Sequence, residues 1–291
     1  MVSFDYYRIF YFAARYKSFT KAAAALDNNQ PNITRCINNL EAQLGCRLFV
    51  RSNRGIALTP EGERLYTRVA AAYTQLTLGE SELMEAQGLE RGTINIAASG
   101  SALRLFLLDR LEAFHNEYPN VQLRISNQTS PQAVGELKSG LADIAVITSP
   151  AHIPGGLRSH SLMSFREALI CGSRYLQLSE GVHSLSSLSG FPFVFLAEKT
   201  GTRQLYNEFF LSCGIELHAD IEVATMDQVL PMVQHNLGLG FYPEALAAKA
   251  RNVFNISLSE TIPQRHIYLL ERKELPESAA TKKLKSFLCD K

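Results

Sequence analysis

The side chains best suited to chemistry in this 291-residue sequence are amides and hydroxyls that stand beside one guanidinium. Asn29, Gln30, Asn32 and Thr34 are followed directly by Arg35. Amides pair with the edge of adenine, a hydroxyl bonds several bases, and a guanidinium forks onto guanine. The spacing therefore predicts a surface that reads base edges in the major groove of DNA. The alternative interpretation is an ordinary capped surface helix.

Three predicted helices position these side chains. Apolar residues recur at helical spacing in three segments, and they are Phe4, Tyr7, Phe10, Ala13 and Ala14, then Phe19, Ala22, Ala23 and Leu26, then Ile33, Ile37, Leu40 and Leu44. Ser18 and Asn29 are expected N-caps, Pro31 suits a first turn, and Gly45 ends the third helix. Two helices joined by a short turn and supported by a preceding helix are typical of a helix-turn-helix.

A short hairpin is predicted to follow the three helices. Leu48–Arg51 and Ile56–Leu58 have strand patterns, with a turn between them. Such a hairpin forms a wing, and Arg51 and Arg54 are expected to contact the phosphate backbone or the minor groove. The positive charge supports this interpretation, because residues 1–66 hold nine Lys or Arg and five Asp or Glu, whereas residues 91–291 are balanced.

A long helix is predicted from Pro60, after Thr59 as N-cap. Its apolar or small residues alternate at spacings of four and three, which is a heptad seam, formed by Leu65, Val69, Ala72, Leu76, Gly79, Leu83 and Ala86. A narrow seam without a neighbouring helix in sequence favours self-pairing, and the predicted dimerisation residues are Leu65, Val69, Ala72, Leu76 and Leu83. The alternative is a helix that packs on its own chain.

From residue 92 onward, short apolar runs alternate with helical patterns, which predicts an α/β fold with mostly parallel sheets in two small lobes. The strand candidates are TINIAA, VQLRIS, DIAVIT, EALIC, PFVFLA, IEVA, GLGFY and HIYLLE. The helix candidates lie near residues 101–118, 131–141, 202–213, 226–236 and 276–289.

Hydroxyl-rich segments follow three of these strands. Ligands of open α/β sheets bind at the carboxyl ends of strands, where helix N-termini attract anions. The predicted effector-binding residues are Ser99, Gly100, Ser101, Thr129, Gly201 and Thr202. A small carboxylate or other anion is the expected ligand, although the same residue types are also routine N-caps. Arg203 is expected to face solvent or to pair with Glu198.

Other classes of protein fit the sequence poorly. It contains no G-x-S-x-G motif, no dinucleotide fingerprint and no His or Cys at zinc spacing, so we expect neither an enzyme nor a cofactor or metal. No apolar run is long enough to cross a bilayer, and the N-terminus does not resemble a signal peptide. A cytoplasmic location is therefore expected.

The five cysteines lack a disulfide pattern. Cys171 and Cys213 form the only plausible redox pair in the C-terminal region, so a redox-sensing regulator remains an alternative function. A second alternative is a ligand-binding protein without regulatory DNA binding. It would leave the first 66 residues unexplained.

The N-terminal pattern resembles the LysR-type transcriptional regulators. The resemblance is carried in order by Phe10, Ala14-Arg15, Ser18-Phe19-Thr20-Lys21-Ala22-Ala23, Leu26, Gln30-Pro31, Thr34-Arg35, Leu40-Glu41, Leu44-Gly45, Leu48-Phe49, Arg51, Thr59 and Gly62. The runs at 142–148 and 237–246 are similar to runs that the family carries in its effector domain. Two residues depart from the family pattern, since Asn29 replaces a usual Ser and Asn32 a usual small or apolar residue, so the operator sequence does not follow.

The resemblance implies an N-terminal winged helix-turn-helix at 1–59, a linker and dimerisation helix at 60–91, and an effector domain at 92–291. That domain would have two lobes like those of periplasmic binding proteins, lobe I at about 92–161 and 267–291 and lobe II at about 162–266. It also implies a homodimer or homotetramer, bound to promoter DNA and in contact with RNA polymerase, whose DNA contacts change when a small effector enters the cleft. The predicted DNA-binding residues are Ser18, Thr20, Asn29, Gln30, Pro31, Asn32, Thr34, Arg35, Arg51 and Arg54.

Overall fold

The structure is a computed structural model that describes residues 2–52, 55–86, 92–150, 152–273 and 277–289, with backbone alone at residues 51, 52, 74, 78 and 81–86. The chain divides into two compact units. The first is built on Met1–Leu89, and the second holds nearly all of the chain from Glu90 onward.

The N-terminal unit consists of helices around a small core, with one hairpin. Its elements are α1 (Phe4–Tyr16), α2 (Phe19–Ala25), α3 (Gln30–Leu44), β1 (Phe49–Ser52), β2 (Gly55–Leu58) and α4 (Pro60–Ala86). The two strands pair antiparallel. The core is formed by the predicted inward residues of the three helices, among which Phe10, Ile33, Ile37 and Leu40 are fully buried. Phe4 and Leu44 were also predicted inward, but they lie at helix ends and are exposed.

Helix α4 packs on its own unit through aromatic rings that stack on α1 and through the first part of its seam. The Tyr11 ring of α1 stacks on the rings of Tyr66 and Tyr73, with centroid distances of 5.8 and 4.5 Å. Leu65 and Val69 are half-buried against the core of the unit. Ala72 and Leu76 are exposed, and the Leu83 side chain lies outside the described part of the chain.

The first lobe of the C-terminal unit has a five-stranded sheet in the order β4-β3-β5-β13-β6. Its strands are β3 (Gly92–Ala98), β4 (Val121–Asn127), β5 (Ile144–Thr148), β6 (Leu157–Phe165) and β13 (Arg265–Arg272). Its helices are α5 (Gly100–Ala102), which continues through a π-helical turn at Leu103–Leu107 into α6 (Leu108–Glu117), then α7 (Ser130–Lys138) and α11 (Ala279–Cys289).

The second lobe has a six-stranded sheet in the order β10-β9-β11-β7-β12-β8. Its strands are β7 (Glu167–Gly172), β8 (Val182–His183), β9 (Phe193–Leu196), β10 (Ile221–Val223), β11 (Leu239–Pro243) and β12 (Val253–Leu258). Its helices are α8 (Gly201–Ser212), α9 (Met226–Gln234) and α10 (Glu244–Ala247), with 3₁₀ turns at Ser173–Ser179 and Leu185–Leu188.

Both sheets are mixed, which corrects the prediction of mostly parallel sheets. The chain passes from the first sheet to the second between β6 and β7 and returns before β13. The returning strand β13 lies antiparallel to both β5 and β6, and β7 lies antiparallel to both β11 and β12. Strands β6, β8 and β12 were not predicted. In β6 the reason is its many polar residues, since it pairs only with β13 at the sheet edge and leaves several of its side chains exposed.

Candidate functional site

The first candidate site is the start of helix α3. The Asn29 side chain caps the helix by accepting from the N–H of Asn32 at 2.9 Å, and the Ser18 hydroxyl caps α2 by accepting from the N–H of Lys21. Thr20, Asn29, Gln30, Pro31 and Arg35 are exposed, while Ser18 and Asn32 are half-buried. The side chains predicted to read bases therefore form one accessible polar surface, apart from Thr34.

Two of these side chains hold each other in place. The guanidinium of Arg35 donates to the amide oxygen of Asn32 at 2.8 Å, and the amide nitrogen of Asn32 donates to Asn28 at 3.0 Å. Arg35 has five N–H donors, so the bond to Asn32 leaves others available for a base edge. The contacts restrict the side chains before any ligand binds.

Thr34 is placed differently from its prediction. Its hydroxyl oxygen is buried and has no hydrogen-bond partner among the described residues. A buried hydroxyl cannot meet a base edge without a change of rotamer, so the prediction that Thr34 reads a base does not fit this structure. Thr34 lies three residues before fully buried Ile37, and residues three apart share one face of a helix.

The wing is anchored by a buried carboxylate. Glu41 of α3 accepts from the N–H groups of Leu48 and Phe49 at 2.7 and 3.2 Å and from Arg47 at 2.8 Å. Burial alone would raise the pKa of Glu41, but these hydrogen bonds outweigh it and hold the pKa below its ordinary value. Arg51 lies in β1, opposite Ile56; its side chain and the whole of Arg54 lie outside the described residues, so their phosphate contacts stay predictions.

The second candidate site is a cleft between the two lobes of the C-terminal unit. It has an empty volume of about 440 Å³, counting the part open to solvent. All six predicted effector-binding residues line it. The remaining described lining residues are Asn127, Gln128, Ser130, Thr148, Leu196, Thr200, Ala224, Thr225 and Met226.

The cleft combines strand ends and helix starts from both lobes. Strands β3, β4 and β5 end there in the first lobe, and strands β9 and β10 end there in the second. Helices α7, α8 and α9 begin at the cleft, with Thr200 and Thr225 as the N-caps of α8 and α9. Eight of the lining residues are Ser or Thr, and none of the described ones carries a charge.

The cleft hydroxyls differ in which hydrogen bonds they already make. Thr129 donates to the Gln132 side chain at 2.8 Å, and Ser130 donates to the carbonyl oxygen of Thr148 at 3.1 Å. Ser99 is buried and accepts from the N–H of Ala102 as a helix cap, which leaves its hydrogen to donate. The Thr129 hydroxyl can therefore only accept from a ligand unless the Gln132 bond breaks.

A fully buried guanidinium lies behind the cleft, and sequence reasoning missed it. Arg265 donates to the Glu167 carboxylate at 2.8 Å and to the hydroxyls of Thr148 and Thr202 at 3.0 and 2.9 Å. Glu167 accepts in addition from Tyr206 at 2.5 Å. Burial, and then the neighbouring carboxylate, raise the pKa of Tyr206 well above its ordinary value. Thr148 ends strand β5, so the strand-end rule that selected Ser99 could have found it, whereas no local pattern marks Arg265.

Two predicted glycines bring the lobes close together. A Cβ on Gly201 of the second lobe would lie 2.5 Å from the carbonyl oxygen of Pro150 in the first lobe. A Cβ on Gly100 would lie 2.9 Å from the Asp227 carboxylate, which also accepts from Asn127 at 2.7 Å and pairs with Arg104 at 3.3 Å. The approach to the Pro150 backbone requires glycine at position 201, whereas at Gly100 the Asp227 side chain would have to shift.

Arg203 does not face solvent, although the sequence predicted that it would face solvent or pair with Glu198. Its side chain is buried and pairs with Glu222 at 2.9 Å, and it also donates to the carbonyl oxygen of Leu196. Strand β10 supplies Glu222, a neighbour that the local sequence around Arg203 does not reveal.

The cysteines do not favour the redox alternative. Cys171 and Cys213 are free thiols, and Cys171 is fully buried. Burial raises the pKa of the Cys171 thiol to about 11, so its reactive thiolate form is scarce at neutral pH. Within the described residues, no group of three His, Cys, Asp or Glu side chains could hold a metal, and no helix is long and apolar enough to span a bilayer.

Comparison with known proteins covers both units. Residues 4–63 match the family model for the bacterial regulatory helix-turn-helix protein, lysR family, and residues 87–291 match that for the LysR substrate binding domain. The HTH-type transcriptional regulator YofA of Bacillus velezensis is 28% identical over 253 residues, which are 87% of this chain and 85% of that protein.

Solved structures share the fold. A full-length OxyR variant from Pseudomonas aeruginosa has a TM-score of 0.74 at 18% identity, over 100% of this chain and 96% of that chain. The effector binding domain of QuiR in complex with shikimate has a TM-score of 0.61 at 17% identity, over 68% of this chain and 96% of that chain. At these identities the likeness concerns the fold alone.

Proposed function

The chain belongs to the family of LysR-type transcriptional regulators, and we propose that the effector of this DNA-binding regulator is a small anion held in the cleft between the two lobes. The observation that carries the proposal is the chemistry of the cleft. Eight hydroxyl residues and the starts of α7, α8 and α9 meet there, without a charged side chain among the described lining residues. The hydroxyls of Thr129, Ser130 and Thr200 already donate within the chain. The remaining hydroxyl hydrogens, such as that of Ser99, and free helix N–H groups stabilise negative charge on a ligand.

Uncharged donors also set an upper limit on the ligand charge. Each hydroxyl and N–H group contributes one hydrogen bond, and no lining cation would neutralise several charges at once. A carboxylate or another ion of low charge therefore fits better than a polyphosphate. The structural likeness to QuiR supports this class, because shikimate is a carboxylate.

At the other unit, we propose that the surface at the start of α3 reads the operator. Gln30 and Arg35 contact base edges, and Asn29 and Asn32 support them. The residues that lie along the phosphate backbone of the DNA are Ser18, Thr20, Pro31, Arg51 and Arg54. The exposed part of the α4 seam pairs with a second copy, to give a homodimer or homotetramer. The regulator acts in the cytoplasm, with RNA polymerase as a further partner and without enzymatic activity of its own.

The effector proposal is tested by calorimetry on the full chain. Sulfate, acetate, succinate and benzoate are titrated into wild type, into Thr202→Val and into Thr261→Val, a matched control at an exposed residue outside the cleft. A hydroxyl bonded to a charged ligand is worth about 1.5–3 kcal/mol, so Thr202→Val should lose about ten- to a hundred-fold in affinity for the acids that bind.

The same proteins are then compared in gel shifts on an operator selected from random DNA. Without ligand, all three should bind equally, and only the wild type and Thr261→Val should respond to the acid. If none of these anions binds, or if Thr202→Val binds them as wild type does, the proposed anion site is wrong.

A further inference from the structure

The donors of Arg265 are distributed in a way that sets the polarity of the cleft. The guanidinium is 1% exposed. Its Nε donates to the carbonyl oxygen of Ser149 at 2.7 Å, and Nη1 donates to Glu167 at 2.8 Å. The two hydrogens of Nη2 reach Thr148 Oγ1 at 3.0 Å and Thr202 Oγ1 at 2.9 Å. These two threonines belong to different lobes, and both line the cleft.

A guanidinium has donors only. Each of the two hydroxyls must therefore accept from Nη2, and its own hydrogen remains to be donated elsewhere. Neither hydroxyl donates to another described residue, and both residues line the cleft. The buried cation thus leaves one hydroxyl hydrogen from each lobe without an acceptor until a ligand arrives.

The charge of Arg265 is neutralised behind this surface. Glu167 is buried and accepts from Arg265 with one oxygen and from Tyr206 with the other. The ion pair therefore carries no net charge toward the ligand. Arg265 therefore acts on the cleft through the orientation of the Thr148 and Thr202 hydroxyls and not through a net charge.

We propose that Arg265 is a positioning and specificity-determining residue of the effector site, which orients the Thr148 and Thr202 hydroxyls as donors so that the cleft selects a ligand with two acceptor oxygens. The inference rests on the proposed anion site and adds a selection rule to it. A carboxylate presents two acceptor oxygens to two donors. The primary amide of the same shape replaces one of them with an NH₂ group, which cannot accept.

The test measures the ratio of acid affinity to amide affinity on the full chain, with succinate against succinamide and benzoate against benzamide. The main variant is the double substitution Arg265→Met with Glu167→Gln, which removes the positioning donor while leaving the net charge unchanged. Its matched control is Arg203→Met with Glu222→Gln. That pair is a second guanidinium–carboxylate contact of the C-terminal unit, lies within the second lobe, and has side chains that do not line the cleft.

Wild type and the Arg203 control should bind the acid at least tenfold more tightly than the amide. In the Arg265 variant this ratio of affinities should fall at least tenfold, because its two hydroxyls rotate freely. Arg265→Lys should lose it as well, since one ammonium cannot reproduce the fork. A structural role alone would lower thermal stability and leave the ratio unchanged.

The double variant Thr148→Val with Thr202→Val keeps Arg265 and the shape of the cleft, and it decides the matter if the Arg265 variants fail to fold. It should lose at least tenfold of the acid preference. An acid preference that persists in the folded Arg265 variants, or in this threonine variant, overturns the role of Arg265 and leaves the anion site standing. Failure of the wild type to bind any acid overturns both proposals.

Discussion

At the scale of single residues, the start of α3 separates side chains that face solvent from one that does not. Gln30 and Arg35 are exposed, and Arg35 is steadied by Asn32. A pre-positioned guanidinium loses less freedom when it binds, since part of its rotamer entropy is already lost. The exposed pair is therefore where sequence discrimination is expected.

Alanine at Gln30 or at Arg35 should weaken the free energy of binding to the operator by about 1–3 kcal/mol. It should also reduce the ratio of operator affinity to random-DNA affinity. Arg8→Ala is the control, because Arg8 is an exposed cation of α1 outside the proposed DNA surface. Arg8→Ala should leave the ratio of operator affinity to random-DNA affinity unchanged. Gel shifts on both DNAs measure the ratio, and an unchanged ratio in Arg35→Ala would exclude base reading by that residue.

For Thr34, in contrast, we expect a substitution to change stability and not sequence discrimination. Thr34→Val keeps the shape and removes a buried hydroxyl without a partner among the described residues. An unsatisfied buried polar group costs about 1–3 kcal/mol, so the variant should raise the urea midpoint of the N-terminal unit. Its operator affinity should stay within threefold of wild type.

Thr20→Val, at an exposed position of α2, is the control and should not change the stability. A tenfold loss of operator specificity in Thr34→Val would instead restore the base-reading role that the sequence predicts.

At the scale of elements, the contact between α8 and the opposite lobe depends on the absence of a side chain. Gly201→Ala places a Cβ against the Pro150 carbonyl oxygen, at 2.5 Å in the present geometry. Overpacking of this kind costs about 1–3 kcal/mol, so the thermal midpoint of the C-terminal unit and its acid affinity should both fall.

Gly135→Ala is the control, because Gly135 lies inside α7 and a Cβ added there would meet nothing within 4 Å beyond its chain neighbours and its own helix backbone. It should be equally stable or up to about 1 kcal/mol more stable, as alanine is favoured in helices. Equal stability of Gly201→Ala and Gly135→Ala would mean that the lobes do not approach this closely.

The stability of the contact between α3 and the wing should depend on pH. The pKa of Glu41 is lower in the folded chain than its ordinary value of 4.5, so the unfolded chain binds the proton more readily. The ionised carboxylate therefore contributes stability that is present above about pH 4.5 and is lost as the pH falls through the folded pKa.

Glu41→Gln should cost about 1.5–3 kcal/mol at pH 7, the worth of a charge-assisted hydrogen bond, and the difference from wild type should shrink below pH 4.5. Urea unfolding of both proteins across pH 3–7 measures it. A difference that stays constant with pH would show that the charge of Glu41 does not stabilise the wing.

At the scale of the whole molecule, α4 has two apolar surfaces with different roles. Its tyrosines stack on α1, and Leu65 and Val69 join the core of the same unit, whereas Leu76 is 49% exposed. The self-packing alternative therefore describes the first part of the seam. The exposed part is the surface that a second copy would cover.

Leu76→Asp should place a charge in that surface and yield monomers or weaker dimers in light scattering. Thr77→Asp puts the same charge on the neighbouring, exposed residue outside the seam, and it should leave the oligomer unchanged. If both variants assemble like wild type, the seam beyond Val69 is not the dimer contact.

Local patterns determined a large part of this protein. The helix-turn-helix, the wing, the long helix and eight strands follow from apolar periodicity and capping residues, because those signals depend on neighbours within a few positions of the chain. The family follows from the same N-terminal residues. The six cleft residues were found because strand ends and helix starts can be read locally, and the structure brings them to one cleft.

Tertiary structure alone decided which groups meet over long separations. Arg265 lies 98 residues from Glu167 and 117 from Thr148, and no local pattern relates them. The antiparallel return of β13 was equally hidden, because strand direction depends on how the chain re-enters the sheet. Burial also depends on tertiary packing. It decides that the Thr34 hydroxyl has no partner among the residues that the structure describes, and that the charge of Arg203 is neutralised by Glu222.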